Sequence, residues 1–303
     1  MGKKAVLFVN LKKKNSGALA ARIRAGLEER GVQTAVFSFD GKPKKPPRGK
    51  WDIAFSIGGD GTVLYTARCV APLGVPVLPV NLGSLGFIAE VSENNWLDVF
   101  LRWEKGEISL SRRCMLEISV KRGRRIVAKN ICLNDAVISA TGIAKLIKLD
   151  VQLYTDITGG GIALGSHRCD GLIIATPTGS TAYSMAAGGP ILDPEIEAVI
   201  LTPICPFALS NRPFVLPSRR TLVITVEEEQ RSGVLLTVDG QDTFSLECAD
   251  RVVIKQAEKP ALLVYAGADA YYSALRTKLF WSGDSPGDVY GDSIADNFGG
   301  AGA

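Results

Sequence analysis

Apolar runs of strand length alternate with helical stripes through the first hundred residues. Residues 3–9 (KKAVLFV) form a first run. Leu19, Ile23 and Leu27 then recur at helical spacing within Ala18–Leu27, and Gly31 suits the position just past a helix end. Val32–Phe39 reads as a second strand, Ile53–Ile57 as a buried central one and Val75–Val80 as a fourth. Val63–Val70 and Trp96–Trp103 carry helical patterns between and after them. This alternation predicts an α/β unit on a doubly wound parallel sheet, a class whose ligands bind at the carboxyl ends of strands.

After about Ile108 the texture changes. Leu116–Val120, Ile131–Ser139, Leu149–Tyr154, Leu172–Thr176, Thr221–Val226, Leu235–Val238 and Val252–Ile254 are short, β-rich runs separated by turn residues. They predict a mostly β, sandwich-like second unit, interrupted by one helix at Ser180–Ala187. Near Ala261–Ala266 and Ser273–Leu279 the chain turns back toward the first unit. We therefore expect an α/β domain of residues 1–108 completed by 267–281, and a β domain of 109–266. Residues 282–303, rich in glycine and aspartate with no apolar face, are expected to form a mobile tail, to which no role is assigned.

The central strand ends in Gly58-Gly59-Asp60-Gly61-Thr62, followed by a helix. Adjacent glycines allow a sharp turn and clear space for an approaching group. The helix start offers unpaired N–H groups and a positive dipole end, which suit phosphate oxygens. Asp60 is the odd member, because a carboxylate beside an anion site is repelled. It suits proton abstraction or a grip on a hydroxyl or Mg²⁺, and it equally suits a plain helix cap.

Composition narrows the field. The 303 residues are 46% hydrophobic and 22% charged, the balance of a folded, soluble protein. No run is long enough to cross a bilayer, and MGKKAVLFVN lacks the form of a secretory signal or, with Val6, of a myristoylation site. A cytosolic protein with no membrane partner is expected. The net charge of +4 is small, and Lys42, Lys44, Lys45, Arg48 and Lys50 sit among prolines with no interleaved aromatics. That describes a solvated loop rather than a nucleic-acid face. Six scattered cysteines without a CxxC and a single histidine, His167, argue against disulfides, zinc or any multi-histidine metal site. GxSxG and GxxxxGK[ST] are both absent.

Four further stretches place polar groups where a plain core would not need them. Asn81–Gly86 (NLGSLG) is a second glycine turn following a strand. Asn134-Asp135 interrupts ICLNDAVI and could bracket a ribose diol or an adenine edge, or merely form an Asx turn. Arg168–Pro190 contains Asp170-Gly171 before an apolar strand. It then runs through Thr176-Pro177-Thr178-Gly179-Ser180-Thr181, whose hydroxyls and helix start suit phosphate or sugar oxygens, to Tyr183, which could stack on a base. Val238-Asp239-Gly240-Gln241 reads as an ordinary hairpin turn.

Together with Thr202–Phe207, Arg212-Pro213 and Leu275–Leu279, these stretches stand in the order and spacing of the NAD kinase family, and the chain resembles that family to about Trp281. GGDGT is shared with lipid kinases and phosphofructokinases, whereas TPTGSTAY with the Asn-Asp pair is more specific. The resemblance implies ATP-dependent, Mg²⁺-assisted phosphorylation of the 2′-hydroxyl on the adenine-side ribose of NAD, giving NADP. It implies Asp60 as proton acceptor, with Gly58, Gly59, Gly61 and Thr62 around the nucleotides. Asn134, Asp135, Lys145, Arg168, Asp170 and Gln241 match positions that surround the dinucleotide. So do Thr178, Thr181, Ala182, Tyr183, Ser184, Met185 and Ala186. No protein-built metal site is implied. A homo-oligomer, dimer or tetramer, is implied, in which residues near Asp170 serve a neighbouring subunit. Tyr65 and Ala186 depart from relatives that often carry a basic residue and a serine there.

Two alternatives stay open at this level. A lipid kinase would share the role of Asp60 but need an apolar acceptor pocket, against which Asn134-Asp135 argues. A silent dinucleotide sensor would bind NAD and form no NADP.

Overall fold

The structure, a computed structural model, describes residues 2–279 apart from 41–45, 48, 84–85, 143–144, 156–159, 209 and 265–267. Most of the basic cluster (Lys42, Lys44, Lys45, Arg48), part of the second glycine turn and the tail 282–303 lie outside the described residues.

The N-terminal half follows the apolar pattern closely. In chain order it contains β1 (Lys4–Asn10), α1 (Ser16–Glu28), β2 (Gln33–Phe39), β3 (Ile53–Gly58), α2 (Asp60–Val70), β4 (Val77–Asn81), β5 (Val91–Ser92), α3 (Trp96–Glu104) and β6 (Leu110–Arg113). β2, β1, β3 and β4 pair in parallel in that order. Alternation along β1 decides which helix covers which face. Ala5, Leu7 and Val9 pack with Leu19 and Ile23 of α1 and Phe100 of α3. Val6 and Phe8 point the other way, against Val63 and Ala67 of α2. The sheet is therefore doubly wound, as its sequence predicts.

The remainder contains β7 (Leu116–Arg122), β8 (Arg125–Cys132), β9 (Asp135–Ala140), β10 (Ile147–Tyr154), β11 (Ile162–Cys169), β12 (Gly171–Ala175), α4 (Tyr183–Ala186), β13 (Ala198–Ile204), β14 (Phe214–Pro217), β15 (Thr221–Val226), β16 (Val234–Val238), β17 (Asp242–Leu246) and β18 (Arg251–Gln256). Two antiparallel six-stranded sheets, β11-β10-β15-β18-β7-β8 and β14-β13-β12-β9-β16-β17, form a sandwich. Ile118, Leu149 and Ile224 from one sheet meet Ile138, Leu172 and Leu236 from the other in its core.

Three sequence expectations shift. The return expected near Ala261–Ala266 is β19 (Ala261–Val264), which pairs with β4 and with β6 of the first sheet, so the sheet takes in strands that the bounds 109–266 assign to the β unit. Residues 110–113 and 261–264 therefore pair with the first sheet, although four-residue strands carry too little pattern to reveal a partner. The run Ile131–Ser139 breaks at Leu133-Asn134, with β8 in one sheet and β9 in the other. The helix expected at Ser180–Ala187 is a 3₁₀ turn (Thr178–Thr181) followed by the single turn α4. Last in the chain, α5 (Ala268–Leu279) straps two loops together. Its Lys278 ammonium lies 4.7 Å from the Phe87 ring centre, and its Tyr271 hydroxyl donates to Leu192 O at 3.0 Å.

Candidate functional site

α2 begins at Asp60 itself, three residues before its apolar stripe, with Gly59 as N-cap. A Cβ on Gly58 would fall 2.2 Å from Thr62 Oγ1, so only glycine admits this turn. Asp60 does not cap its helix. Its carboxylate reaches across to the loop after β4, where Oδ2 accepts the Phe87 N–H (3.0 Å) and Oδ1 the Ile88 (3.3 Å) and Ala89 (2.9 Å) N–H groups. Gly86 makes the approach feasible, since a Cβ there would stand 1.9 Å from Asp60 Oδ1. The two glycine turns of the sequence thus meet at one carboxylate.

Asn134 and Asp135 sit where the chain crosses between the sandwich sheets, gripped from two sides. The Asp239 carboxylate accepts the N–H groups of Leu133 (3.0 Å), Asn134 (2.8 Å) and Asp135 (3.1 Å). On the other side, Gly179 lies so near that a Cβ would be 2.2 Å from Asn134 O, which itself accepts the Thr176 N–H at 2.8 Å. Thr176 Oγ1 donates to Leu133 O at 2.5 Å and accepts the Gly179 N–H at 3.1 Å. The hydroxyl-rich turn is thereby fastened to the Asn-Asp pair. Asn134 Oδ1 and Thr178 Oγ1 are buried with no hydrogen-bond partner among the described residues. An orphaned buried acceptor is costly, and a bound polar ligand relieves it.

A groove of about 400 Å³ opens here, lined by Asn134, Asp135, Val137, Ser139, Ala182, Tyr183, Thr237, Asp239 and Gly240. Tyr183 is exposed on its wall. The turn at Asp239 (φ 50) and Gly240 (φ 64) carries the chain on to Gln241, whose Nε2 donates to Gly61 O at 2.7 Å. One end of the groove therefore abuts the Asp60 turn. Burial and the neighbouring Asp239 push the Asp135 carboxyl up to about 7, and burial raises Asp239 as well.

The remaining expected residues divide. Thr181 is buried and bonds back to Thr178 O. The Ser184 hydroxyl is buried against Thr202 Oγ1 at 3.0 Å, and neither Met185 nor Ala186 lines the groove. Lys145, Arg168 and Asp170 gather at the other end of β9 and β12. There Asp170 O accepts the Ala140 N–H, whereas Asp135 pairs with Ala175. Within one chain they do not reach Asn134-Asp135. Tyr65 is buried beside Phe8 and Phe39 and belongs to the core.

Sequence reasoning missed four residues. Asp239 stands in a stretch that reads as an ordinary hairpin turn. Arg68, inside an apolar helix, bonds Gln241 Oε1 (3.2 Å) and Asn130 Oδ1 (3.2 Å) and pairs with Asp242. Glu90 is buried behind Asp60 with Oε1 unpartnered, and burial pushes it to about 7 against the pull of Arg113, itself fully buried. A charge embedded in apolar sequence, as in FIAEV or VLYTARCV, was the available signal.

A doubly wound sheet carrying a carboxylate at a glycine-rich turn, joined to a sandwich with a polar groove, defines a two-domain nucleotide-binding enzyme. Residues 4–108 match the ATP-NAD kinase N-terminal domain and residues 133–266 its C-terminal domain. The NAD kinase of Treponema denticola is 42% identical over 284 residues, covering 93% of this chain and 98% of that protein. That of Geobacter sulfurreducens is 35% identical, covering 92% and 99%. In fold, the chain is similar to a yeast NADH kinase solved with NADH (TM-score 0.82, 22% identity, 94% of this chain and 89% of that one). It is also similar to an Archaeoglobus fulgidus NAD kinase solved with ATP (0.68, 24%, 89% and 96%). The chain belongs to the NAD kinase family, whose reaction moves the terminal phosphate of ATP to the 2′-hydroxyl on the adenine-side ribose of NAD, giving NADP. It is accordingly a phosphotransferase.

The raised Asp135 carboxyl sets a stability test. Folded, it keeps its proton to about pH 7, whereas an unperturbed carboxyl loses it near 3.8, so stability falls as pH rises between those values. Urea unfolding at pH 5 and pH 8 should show this fall, and D135N should diminish it.

Proposed function

We propose that Asp60 accepts the proton of the ribose 2′-hydroxyl as the phosphoryl group of ATP arrives. The observation that carries this is the carboxylate's orientation: it is held from the side by three N–H groups and makes no bond to its own helix start. A carboxylate has about four lone-pair sites. Described residues occupy three, two of them on Oδ1, which leaves Oδ2 able to take one more hydrogen bond. Phosphoryl transfer has a loose transition state, so the base chiefly orients the hydroxyl and accepts its proton late. The first-turn N–H groups of α2 and the space cleared by Gly59 and Gly61 suit the donor's phosphates.

Mg²⁺ fits this arrangement as a companion of the phosphates rather than as a resident ion. Among the described residues no three acidic, histidine or cysteine side chains gather to cage a metal. The phosphates would hold it, and it would offset their repulsion with Asp60. Bound there, it supplies neutralisation of developing phosphate charge.

The dinucleotide lies along the groove, with its nucleoside on Asn134 and Asp135 and its base against Tyr183. The orphaned Asn134 Oδ1 and the neighbouring backbone of Ala182 support this reading. Lys145, Arg168 and Asp170 would complete the groove of a second copy in a homodimer or tetramer. Ile162, Phe207 and Phe214, exposed apolar groups on or near the edge strands β11 and β14, supply a surface for that contact. Residence in the cytosol accords with six unpaired cysteines and with the absence, among described residues, of any helix long and apolar enough to cross a membrane.

Two substitutions test these roles. N134A should raise the KM for NAD severalfold while the melting temperature stays close to the parent's; an unchanged KM with a lowered melting temperature would mark the pair as structural. D60N keeps the shape and can keep the two bonds accepted at Oδ1, but its amide nitrogen can accept neither the Phe87 N–H nor the substrate proton, so kcat should fall by about 10²–10⁴-fold. NAD affinity, read by calorimetry, should be largely kept. A D60N enzyme nearly as active as the parent would refute the assignment.

A further inference from the structure

The loop between β1 and α1 carries three consecutive lysines, Lys12, Lys13 and Lys14, all exposed. It emerges at the carboxyl end of β1, beside the end of β3 where the Asp60 turn begins. Two ties dock it there. Asn10 Nδ2 donates to Thr62 Oγ1 at 3.3 Å, and Asn10 Oδ1 accepts the Lys12 N–H at 3.1 Å. The Lys13 backbone is pinned at both ends, its N–H donating to Asn10 O (3.0 Å) and its carbonyl accepting the Ser16 N–H (3.2 Å). This frame directs one side chain toward the turn. Around Gly59, a Cβ would find only Lys13 within reach, with Cε and Nζ each 4.0 Å away. No carboxylate forms an ion pair with Lys13 among the described residues.

We propose that Lys13 is a binding residue for the phosphate chain of the donor, closing over the Gly59–Gly61 turn from the β1–α1 loop. The proposal rests on the kinase reading of Asp60 and adds a residue to it. An ammonium on a flexible stem is a mobile point charge suited to phosphate oxygens. Among the described residues it has no carboxylate ion-pair partner, and it hangs beside a helix N-terminus whose amides face the same space. The negative charge that Asp60 brings to this turn makes a nearby cation more useful, since polyanionic phosphates must approach that carboxylate. Gly59 keeps the space between lysine and turn free of a side chain. Lys12 and Lys14 share the charge but not the approach to Gly59, so the role falls on Lys13 alone.

The test compares the parent with K13A, K13R and K14A, measuring NADP formation and, separately, ATP binding by calorimetry. K13A should weaken ATP binding and raise the KM for ATP about tenfold, the effect of one lost charge-assisted bond. The KM for NAD should stay within about twofold of the parent's. K13R should recover most of the loss, K14A should resemble the parent, and inorganic tripolyphosphate should inhibit K13A less well than the parent. ATP binding by K13A within twofold of the parent, or an equal loss in K14A, would overturn the proposal. If the parent bound ATP but formed no NADP, the kinase reading would fail while the calorimetric comparison still decided the role of Lys13.

Discussion

The site depends on one short-range fit, the Asp60 carboxylate lodged against the amides of Phe87, Ile88 and Ala89 across a side-chain-free Gly86. A carboxylate at the start of a helix ordinarily turns inward to bond that helix's own N–H groups. Here the loop after β4 supplies three donors instead and fixes the group in an orientation that, among the described residues, leaves one lone pair of Oδ2 without a donor. The same fit ties together the ends of two adjacent parallel strands. Buried Glu90, whose carboxyl burial pushes up to about 7, and buried Arg113 stand behind it.

The sandwich and the first sheet meet at an apolar seam, where Met115 and Leu133 pack with Val63 and Ala67, and through polar side chains beside the Asp60 turn. Gln241 reaches the Gly61 carbonyl, and Arg68 of α2 pairs with Asp242 one residue further along. Asp239, in the same turn, collars the backbone of Leu133–Asp135. One hairpin thus sets the Asn-Asp pair and touches the Asp60 turn. α5 adds a second bridge, from Phe87 near Asp60 to Leu192, which bonds Ser180 of the hydroxyl turn.

Much of this was legible in the sequence, for identifiable reasons. Doubly wound alternation appears wherever a strand is buried on both faces, as β1 and β3 are, and the GGDGT and NLGSLG turns announced the working edge of the sheet. The resemblance to NAD kinases drew attention to Asn134 and Asp135, which do line the groove. What stayed hidden was long-range. Nothing in VDGQ says that its aspartate bonds residues 133–135, a hundred positions away. Four-residue strands such as β6 and β19 carry no partner signal, and the sequence does not show that the Ser184 hydroxyl lies against Thr202. The segregation of Lys145, Arg168 and Asp170 from the Asn-Asp pair is likewise a matter of register along β9 and β12, which local pattern does not encode.

The fit at Gly86 can be tested without touching the carboxylate. G86A adds one methyl group at a point 1.9 Å from Asp60 Oδ1, so the carboxylate or the 86–89 loop must move. Displacement of a reacting group by about 1 Å typically costs on the order of 10²-fold in rate. The kcat of G86A for NADP formation should fall by that order, while NAD affinity measured by calorimetry stays within about twofold, because the groove around Asn134 is built from other loops. A G86A enzyme that turns over at the parent rate would contradict the account, since the base would then not depend on the contact assigned to hold it.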